Sequence, residues 1–353
     1  MSNTKSVKLM AVGDVMLGDH PICIGHGVRS LIEKKGSEFI FREISGILNN
    51  ADITFGNLES VLSNIRVDKS NVDSLRLRGT ESSVNGLVYA GFNVMSLANN
   101  HILEHGYDSL VRTIDLLEDN GIKSAGVAEN NSKSHELVVI ERNGISFGFL
   151  AYCLINDSTA YCSIDDIDEI IDDVRKRKDK VDNLIVSLHW GNEYIRKPSP
   201  QQVQLGHSII DAGADLILGH HPHVLQGVEK YKEGIIAYSL GNFVFDMWQR
   251  KMRESMILSL DFSKNKVEKF KIIPIIIDKD NFQPRPLHGF KKEKLKDKIT
   301  NDFLEKLDEN KYFEELQSCK NRYRFDLIRH IILNFYKYYP LHLYKIILNF
   351  FKK

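Results

Sequence analysis

Cysteine is scarce in this 353-residue chain, and the few copies are not spaced as metal ligands or disulfide partners. The four are Cys23, Cys153, Cys162 and Cys319, and no two of them form a C-x-x-C pair. Without paired thiols, neither a disulfide framework nor a cysteine-ligated structural zinc site is expected. Each cysteine is instead predicted to be a small buried hydrophobic residue.

Net charge and long apolar runs are also absent. Lys plus Arg and Asp plus Glu both total 47, so a net charge of zero gives no indication of a nucleic-acid partner. No stretch of 18 uncharged apolar residues is present, so no transmembrane helix is predicted. Gly13 and Asp14 interrupt the N-terminal apolar run too early for a signal peptide. These absences together predict a cytoplasmic protein.

Short, continuous apolar runs alternate with segments of helical periodicity. Continuous runs are typical of parallel strands buried on both faces, and the alternation is typical of α/β proteins. The predicted strands are Val7–Val12, Asp52–Phe55, Asn93–Leu97, Asn183–Leu188, Asp215–Leu218 and Gly234–Ser239. The predicted helices are Glu38–Asn49, Tyr107–Asn120, Ile164–Lys180 and Pro200–Ala212, the last with Ser199 and Gln202 spaced as a capping box.

Two predicted hairpins add antiparallel strands. The first joins Glu136–Glu141 to Ile145–Tyr152 through Asn143-Gly144, a sequence typical of a type I′ turn. The second joins Ser255–Phe262 to Val267–Ile277. The mixture of parallel and antiparallel strands predicts an α/β sandwich.

Polar side chains follow five of the predicted strands, at the point where each strand ends. They are Asp14, Glu59, Asn100, His189 and the histidines of the run Gly219-His220-His221-Pro222-His223. Because ligand sites of open α/β sheets lie at the carboxyl ends of strands, these side chains are expected to meet. Carboxylate and amide oxygens together with imidazoles suit Mn²⁺, Fe²⁺ or Zn²⁺. Any one of them is explained by a turn or a packed histidine, but the coincidence at five strand ends favours a metal site.

The order of these motifs resembles the CapA family of poly-γ-glutamate and capsule-synthesis proteins. The resemblance covers about residues 7–277. It rests on Gly13-Asp14, Gly56-Asn57-Leu58-Glu59, Ala98-Asn99-Asn100-His101, His189-Trp190-Gly191, Gly219 to His223, and Tyr238 to Phe245. It implies the calcineurin-like metallophosphoesterase fold, a four-layer α-β-β-α sandwich, here with a C-terminal helical extension. It also implies two adjacent divalent ions at one end of the sandwich.

Carried over residue by residue, the resemblance implies that Glu59 bridges the two ions. Asn100, His189 and His221 would complete one site, and Asp14 and His223 would hold the other. His101 would be the proton donor to the leaving group. Five more residues are candidates for additional contacts at the site: Asn57, Glu104, Glu193, His220 and Asn242.

One residue departs from the usual pattern. Met16 stands where the metallophosphoesterase motif Asp-x-His has its histidine, and a thioether is a poor ligand for hard divalent ions. The corresponding site is therefore expected to be weak, or to draw on Asp19, Glu104 or Asn242. Glu59 also replaces the usual Asp of the second motif, so hydrolysis does not follow from the fold alone.

Three functions remain open at this point. The first is a metal-dependent hydrolase of phosphoesters or γ-glutamyl amides, acting in capsule or cell-surface polymer biosynthesis. The second is a non-catalytic, polymer-binding subunit of a poly-γ-glutamate or capsule assembly complex, and the third is a membrane-surface scaffold. The proton donor His101 favours the hydrolase, since a binding subunit has no evident need for it.

Three arginines are candidates for contacting an anionic polymer or phosphoester substrate. They are Arg66, Arg76 and Arg78, in the polar stretch that ends at Gly79. Arginine suits carboxylate and phosphate groups, but a solvated loop is the favoured explanation for all three.

The last part of the chain differs from the rest. Residues 320–353 carry eight Lys or Arg against one acid, and nine of the 33 aromatic residues. From Arg322 on, polar residues recur at spacings of three and four, which predicts two amphipathic helices separated by Pro340. Residues 322–353 are therefore a candidate for peripheral contact with an anionic membrane or for dimerisation. Packing of the apolar face on the protein's own core or on a second subunit is favoured slightly.

The predicted domains are 1–285, the sandwich, and 286–353, the helical region.

Overall fold

The computed structural model describes residues 6–68, 71–126, 136–155 and 167–337. In chain order, the strands are β1 (Val7–Val15), β2 (Ile53–Leu58), β3 (Val61–Leu62), β4 (Arg78–Gly79), β5 (Val94–Ser96), β6 (Lys123–Ala125), β7 (Val138–Arg142), β8 (Ile145–Cys153), β9 (Asn183–His189), β10 (Leu216–His220), β11 (Val228–Tyr231), β12 (Gly234–Ala237), β13 (Asn242–Val244), β14 (Glu254–Ser263), β15 (Lys266–Ile277) and β16 (Pro284–Pro286). The helices are α1 (Val28–Lys35), α2 (Glu38–Phe41), α3 (Ser45–Leu48), α4 (Val84–Tyr89), α5 (Tyr107–Asp119), α6 (Ile167–Arg177), α7 (Pro200–Ala212), α8 (Arg250–Arg253), α9 (Gly289–Thr300) and α10 (Glu309–Leu333).

Most of these strands belong to two mixed sheets. The first has the order β16-β15-β14-β1-β2-β5-β6, with β13 pairing alongside the end of β1. Its strands are parallel from β1 to β6 and antiparallel from β1 to β16. The second has the order β11-β12-β10-β9-β8-β7, with a parallel centre and an antiparallel pair at each edge. Each sheet therefore has parallel central strands whose carboxyl ends share one edge.

Three apolar clusters separate four layers. Between the sheets, Phe55 of β2 stacks on Phe149 of β8, with ring centroids 5.8 Å apart. On the outer face of the first sheet, Val12 packs with residues of α1, α2, α4 and α5. On the outer face of the second sheet, Val186 packs with residues of α6 and α7. The predicted α-β-β-α sandwich is thus confirmed.

The predicted strands are all present, and four of them end later than expected, including β9, which reaches His189, and β10, which reaches His220. β1 continues to Val15 and β2 to Leu58, so Asp14 and Asn57 lie within strands rather than after them. The register of β1 against β2 shifts between Ala11 and Asp14, and such irregularities often re-aim side chains next to functional sites.

Local turn and cap signals are also confirmed. Asn143 and Gly144 have φ values of 54° and 72°, as the type I′ turn between β7 and β8 requires. At the start of α7, the Ser199 hydroxyl accepts from the Gln202 backbone N–H, and the Gln202 side chain accepts from the Ser199 N–H, both at 3.0 Å.

The prediction of one helix over Glu38–Asn49 is wrong. The segment divides into α2 and α3 because Arg42 and Ile44 bond to carbonyls three residues earlier, which tightens the turn between them. The start of the predicted helix Ile164–Lys180 lies outside the described residues, and so does the second tail helix, predicted after Pro340.

The C-terminal helices pack against the sandwich. α9 places Leu295 and Ile299 in the cluster between the sheets, while α10 packs Tyr312 and Leu316 against Ile195. The domain boundary at residue 285 remains a prediction. Among the described residues, no helix is long and apolar enough to cross a membrane.

At the end of α10, most apolar side chains do not pack on the protein's own core, which was one of the two favoured expectations. Asp326 accepts a hydrogen bond from the Gln249 side chain, and His330 stacks on Trp248. The side of the helix that carries Tyr323, Asp326, Leu327 and His330 thus faces the protein, while large apolar side chains such as Phe325, 67% exposed, face solvent. Over the described part of the tail, packing of the whole apolar face on the protein's own core is therefore wrong.

Candidate metal centre

Side chains from both sheets converge where the parallel strands end. The first sheet and its loops contribute Asp14, Asn57, Glu59 and Asn100, and the second contributes His189, His220, His221 and His223. All eight are buried, with at most 7% of each residue exposed. The loop positions follow from the strands, because the motifs begin on the last residues of β1, β2, β9 and β10, and Ala98 to His101 begins just after β5.

A first group of donor atoms surrounds the His189 ring. Its Nε2 lies 2.8 Å from Asn100 Oδ1 and 3.3 Å from Glu59 Oε1. Neighbouring ligand atoms around a divalent ion are about 3 Å apart when the bonds are about 2.1 Å long. The spacing of these three atoms fits one ion. The His221 ring adjoins the group, with its centroid 4.9 Å from that of His189.

A second group surrounds His223. Its Nδ1 lies 2.9 Å from Asn242 Oδ1, 3.5 Å from Asp14 Oδ2 and 3.7 Å from Glu59 Oε2. Glu59 therefore presents one oxygen to the His189 group and the other to this group. A carboxylate that bridges two ions needs this placement.

Glu193 adds a third carboxylate at the mouth of the centre. Its oxygen and ring nitrogens of His221 and His223 all lie within 4.8 Å of one another, and Glu193 is less buried than either histidine. The sequence put Glu193 among the additional candidates, and the structure brings it into reach of both imidazoles.

The hydrogen bonding of Glu59 tests whether these residues fit a metal. Both carboxylate oxygens are buried without a hydrogen-bond partner in the described structure, and so are Nε2 of His220 and Nδ1 of His221. An unpaired buried carboxylate is costly, and a bound cation removes that cost. The donor set therefore fits divalent ions.

The pKa values point to the same need for positive charge. Burial and the neighbouring Asp14 raise the pKa of Glu59 well above its ordinary range. Burial lowers the pKa of His189 well below the usual value and that of His221 to about 4, which leaves both imidazoles neutral and able to bind metal. Burial also disfavours the charge on His223, but Glu59 and Asp14 raise its pKa to about 10.

Two of the histidines have a strained backbone. His221 and His223 have φ values of 93° and 54°, a region that costs a non-glycine residue about 1–3 kcal/mol. The His221 N–H donates to Asp14 Oδ2 at 3.4 Å, which ties this loop to β1. Strain of this kind is concentrated at functional sites.

His101 lies at the rim of the centre with 21% of its side chain exposed. Its Nδ1 is 2.9 Å from Glu104 Oε1, and the same oxygen accepts from Arg76 at 3.1 Å. Asn99 accepts from the His101 backbone N–H and donates to Asn57. Asn99 was not predicted as a site residue, and only these contacts between separate loops reveal its part in positioning His101.

The predicted arginines lie in different places. Arg76 reaches the centre through Glu104, as above. Arg66 is 85% exposed at its side chain and pairs with Asp108. Arg78 is buried and donates to the Ile65 carbonyl at 2.6 Å, so it supports the loop and does not face a substrate.

Met16 and Asp19 do not join the cluster of ligands. Met16 is fully buried in the apolar cluster under the first sheet. The Asp19 carboxylate accepts from the N–H groups of Gly25 and Ser30 and from the Ser30 hydroxyl. Of the three substitutes suggested for the missing histidine, Asn242 is the one in contact with His223.

The C-terminal helix contributes to the wall of the centre, which the sequence did not predict. Tyr323 of α10 stacks on Tyr194, with centroids 4.1 Å apart and planes 11° from parallel. Tyr194 directly follows Glu193 and hydrogen-bonds to it. The two tyrosines are far apart in the chain, so no local pattern links them.

Two sequence comparisons agree with the motifs. Residues 8–247 match the family described as "Bacterial capsule synthesis protein PGA_cap". The chain is 32% identical over 295 residues to "Capsule biosynthesis protein CapA" of Bacillus anthracis, which covers 79% of this chain and 70% of that protein. It is 30% identical over 295 residues to "PGA biosynthesis protein CapA" of Bacillus subtilis, covering 81% and 74%.

A structural comparison agrees with the fold. The crystal structure of a phosphatase from Mycoplasma pneumoniae superposes with a TM-score of 0.52 at 14% identity, covering 77% of this chain and 94% of that one. At this identity the likeness concerns the fold alone. The chain therefore belongs to the bacterial capsule synthesis protein family PGA_cap, built on a metallophosphoesterase-like sandwich.

Proposed function

We propose that this protein is a metal-dependent hydrolase that cleaves a phosphoester or a γ-glutamyl amide in capsule or poly-γ-glutamate biosynthesis. Its cofactors would be two divalent ions, Mn, Fe or Zn. The observation that carries the proposal is the buried Glu59 carboxylate, whose two unbonded oxygens face two separate groups of donor atoms.

The proposed ligands follow from these groups. Asn100, His189 and His221 would hold one ion, Asp14 and His223 the other, with Glu59 between them. When bound, such ions polarise a phosphoryl or carbonyl oxygen and lower the pKa of water.

His101 is the proposed general acid. With its Nδ1 held by Glu104, Nε2 is left to donate a proton to the leaving group. The Glu104 carboxylate orients the ring, and Arg76 holds Glu104 in place. A subunit that only binds polymer has no need for this chain of three residues.

The substrate and partners are proposed from the same site. An anionic polymer or a phosphoester would approach past Arg76, which keeps 42% of its side chain exposed beside Glu104. The polymer-synthesis machinery is the proposed partner assembly, with no role for nucleic acid. Residues 322–353 remain proposed for peripheral membrane contact or self-association.

Metal loading tests the proposal first. The purified full chain, stripped with chelator and returned to Mn²⁺, Fe²⁺ or Zn²⁺, is expected to hold more than one ion per chain by elemental analysis. Glu59→Gln, and His221→Ala combined with His223→Ala, should lose most of it, while the remote His207→Ala should not. A wild-type chain that cannot be loaded above a fraction of one ion contradicts the proposal.

Hydrolysis tests it second. Phosphodiesters, phosphomonoesters and γ-glutamyl peptides would be assayed with the loaded wild type and Glu59→Gln. Turnover of one substrate class, lost in the variant, supports the proposal. A fully loaded wild type that is inactive on all of them supports the polymer-binding subunit instead.

A further inference from the structure

The last turns of α10 and the residues just after it expose a continuous apolar stripe. Its members, spaced by three and four residues, are Phe325, Ile328, Ile332, Phe335 and Tyr336, which are between 41% and 70% exposed. The opposite side of the helix is used by the protein, since Tyr323 stacks on Tyr194 and His330 on Trp248. The stripe is thus a second apolar face that the described part of the chain does not cover.

Arginines border the stripe on both sides. At 100° per residue, Arg322 and Arg329 lie along one edge and Arg324 along the other. The acid within this stretch, Asp326, turns inward and accepts from Gln249. An apolar stripe flanked by cations is the pattern of a helix that lies in an anionic membrane interface.

A cationic cleft opens along the edge that Arg322 and Arg329 form. It has a volume of about 380 Å³, and Arg250 and Lys251 line it from the opposite side. Arg250 pairs with Glu254, which leaves Lys251, Arg322 and Arg329 against Asp326 in the cleft. This excess of positive charge suits an anionic headgroup.

We propose that this surface binds an anionic lipid bilayer, with the stripe of α10 in the interface and lipid headgroups in the cationic cleft. A second copy of the chain fits less well, because a two-fold interface would bring the arginines of both copies together. Since Tyr323 also forms part of the wall beside Glu193, the bound helix would hold the mouth of the metal centre close to the membrane surface. The inference does not depend on hydrolysis.

Flotation with lipid vesicles tests it. The full chain is expected to float with vesicles of phosphatidylcholine containing phosphatidylglycerol, to bind pure phosphatidylcholine far less, and to be released by salt. Each cation near an anionic surface contributes on the order of fivefold to binding, so Arg322→Gln with Arg329→Gln should lose on the order of 25-fold. Phe325→Gln with Ile332→Gln should lose at least as much.

Matched control variants distinguish binding through this surface from nonspecific binding to vesicles. Phe313→Gln removes an aromatic ring that is 61% exposed on the same helix but outside the stripe, and Lys291→Gln with Lys294→Gln removes two exposed charges from α9. Both should bind like wild type. Equal loss in the controls, or equal binding to both vesicle types, overturns the proposal. The proposal is also overturned if the wild-type chain forms a dimer in the absence of vesicles and Phe325→Gln with Ile332→Gln converts that dimer to a monomer.

Discussion

At the scale of single residues, two buried carboxylates in the centre have different surroundings. Asp14 accepts from Asn57 at 2.9 Å and lies 3.1 Å from His220 Nδ1. Hydrogen bonds and charges from His220 and His223 outweigh its burial and lower its pKa. Glu59 shares the charge of His223 but accepts no hydrogen bond in the described structure, so its oxygens remain available to a cation.

The first prediction at this scale concerns His101. His101→Ala should keep the metal and the fold but lose about 10²–10⁴-fold in hydrolysis of a substrate with a poor leaving group. The loss should shrink for p-nitrophenyl phosphate esters, whose leaving group needs little protonation. Steady-state rates on the two substrate types, with metal content measured in parallel, provide the check.

Glu104 offers a matched variant, because it acts through the His101 ring. Glu104→Gln should give a smaller loss with the same dependence on the leaving group, since an amide orients the His101 ring less firmly than a carboxylate does. An equal loss on both substrate types in His101→Ala would contradict the assignment of a proton donor.

The second prediction concerns Asp246. A Cβ on Gly27 would lie 2.0 Å from its Oδ2 and 2.6 Å from Asp19 Oδ1, so both carboxylates crowd the same glycine. Burial and the Asp19 charge raise the pKa of Asp246 to about 8. The folded state holds this proton more tightly than the unfolded state, so the stabilisation is largest below about pH 4 and is lost as the pH rises towards 8.

Asp246→Asn removes this titration, so its melting temperature relative to wild type should increase between pH 5 and pH 9. The exposed Asp179→Asn serves as control and should show no such trend. A difference in melting temperature between Asp246→Asn and wild type that stays constant from pH 5 to pH 9 would contradict the raised pKa of Asp246.

At the scale of elements, close packing of strand ends brings the ligands together. A Cβ on Gly13 would lie 1.8 Å from the Gly241 carbonyl oxygen, and one on Gly219 would lie 2.0 Å from the Tyr238 oxygen. Gly13 immediately precedes the proposed ligand Asp14 on β1, and Gly219 precedes the His220 to His223 segment at the end of β10. Glycine at these positions therefore sets how closely β1 and β10 approach the segment between β12 and β13.

The third prediction follows for Gly219. Gly219→Ala should push β10 away from the Tyr238 backbone, with loss of both thermal stability and metal affinity. Gly46→Ala is the control, since a Cβ there meets nothing within 4 Å. Isothermal titration with Mn²⁺ and thermal melts measure both effects, and an unchanged metal affinity in Gly219→Ala would show that the strand spacing is unimportant.

At the scale of the whole molecule, the centre depends on the packing of one sheet on the other. The proposed ligands divide between the two sheets, and the Phe55–Phe149 stack lies in the layer that holds the sheets together. Each sheet therefore carries part of the site, and the packing between the sheets holds the two parts together.

The fourth prediction tests this division. Phe149→Ala should cost about 3–5 kcal/mol of unfolding free energy and should also weaken metal binding, although no ligand is changed. Phe262→Ala removes a similarly buried ring of the same layer, which packs edge-on to Phe147 near the amino ends of β1 and β8, away from the ends that carry the ligands. It should cost similar stability with a smaller effect on metal affinity. Equal metal affinity in both variants and wild type would contradict the coupling.

The sequence by itself determined the strands, the cap of α7, the hairpin at Asn143-Gly144 and the order of the motifs. These features depend on residues that are close in the chain. Buried parallel strands are continuous apolar runs, and a ligand that directly follows such a run is placed at the sheet edge by the strand itself. For this reason Asp14, Glu59, Asn100, His189, His221 and His223 were all named, and the structure brings them together, while their roles remain proposals.

Only the tertiary structure decided which distant residues meet. The contact of Asn99 with Asn57, the contact of Asn242 with His223, and the stack of Tyr323 on Tyr194 join segments whose separation no local pattern records. The orientation of α10 was decided in the same way. Periodicity fixes that a helix has a polar and an apolar side. The surface beside Trp248 and Gln249 determined that Asp326 and His330 turn inward with Tyr323 and Leu327, while Phe325 and Ile332 remain exposed.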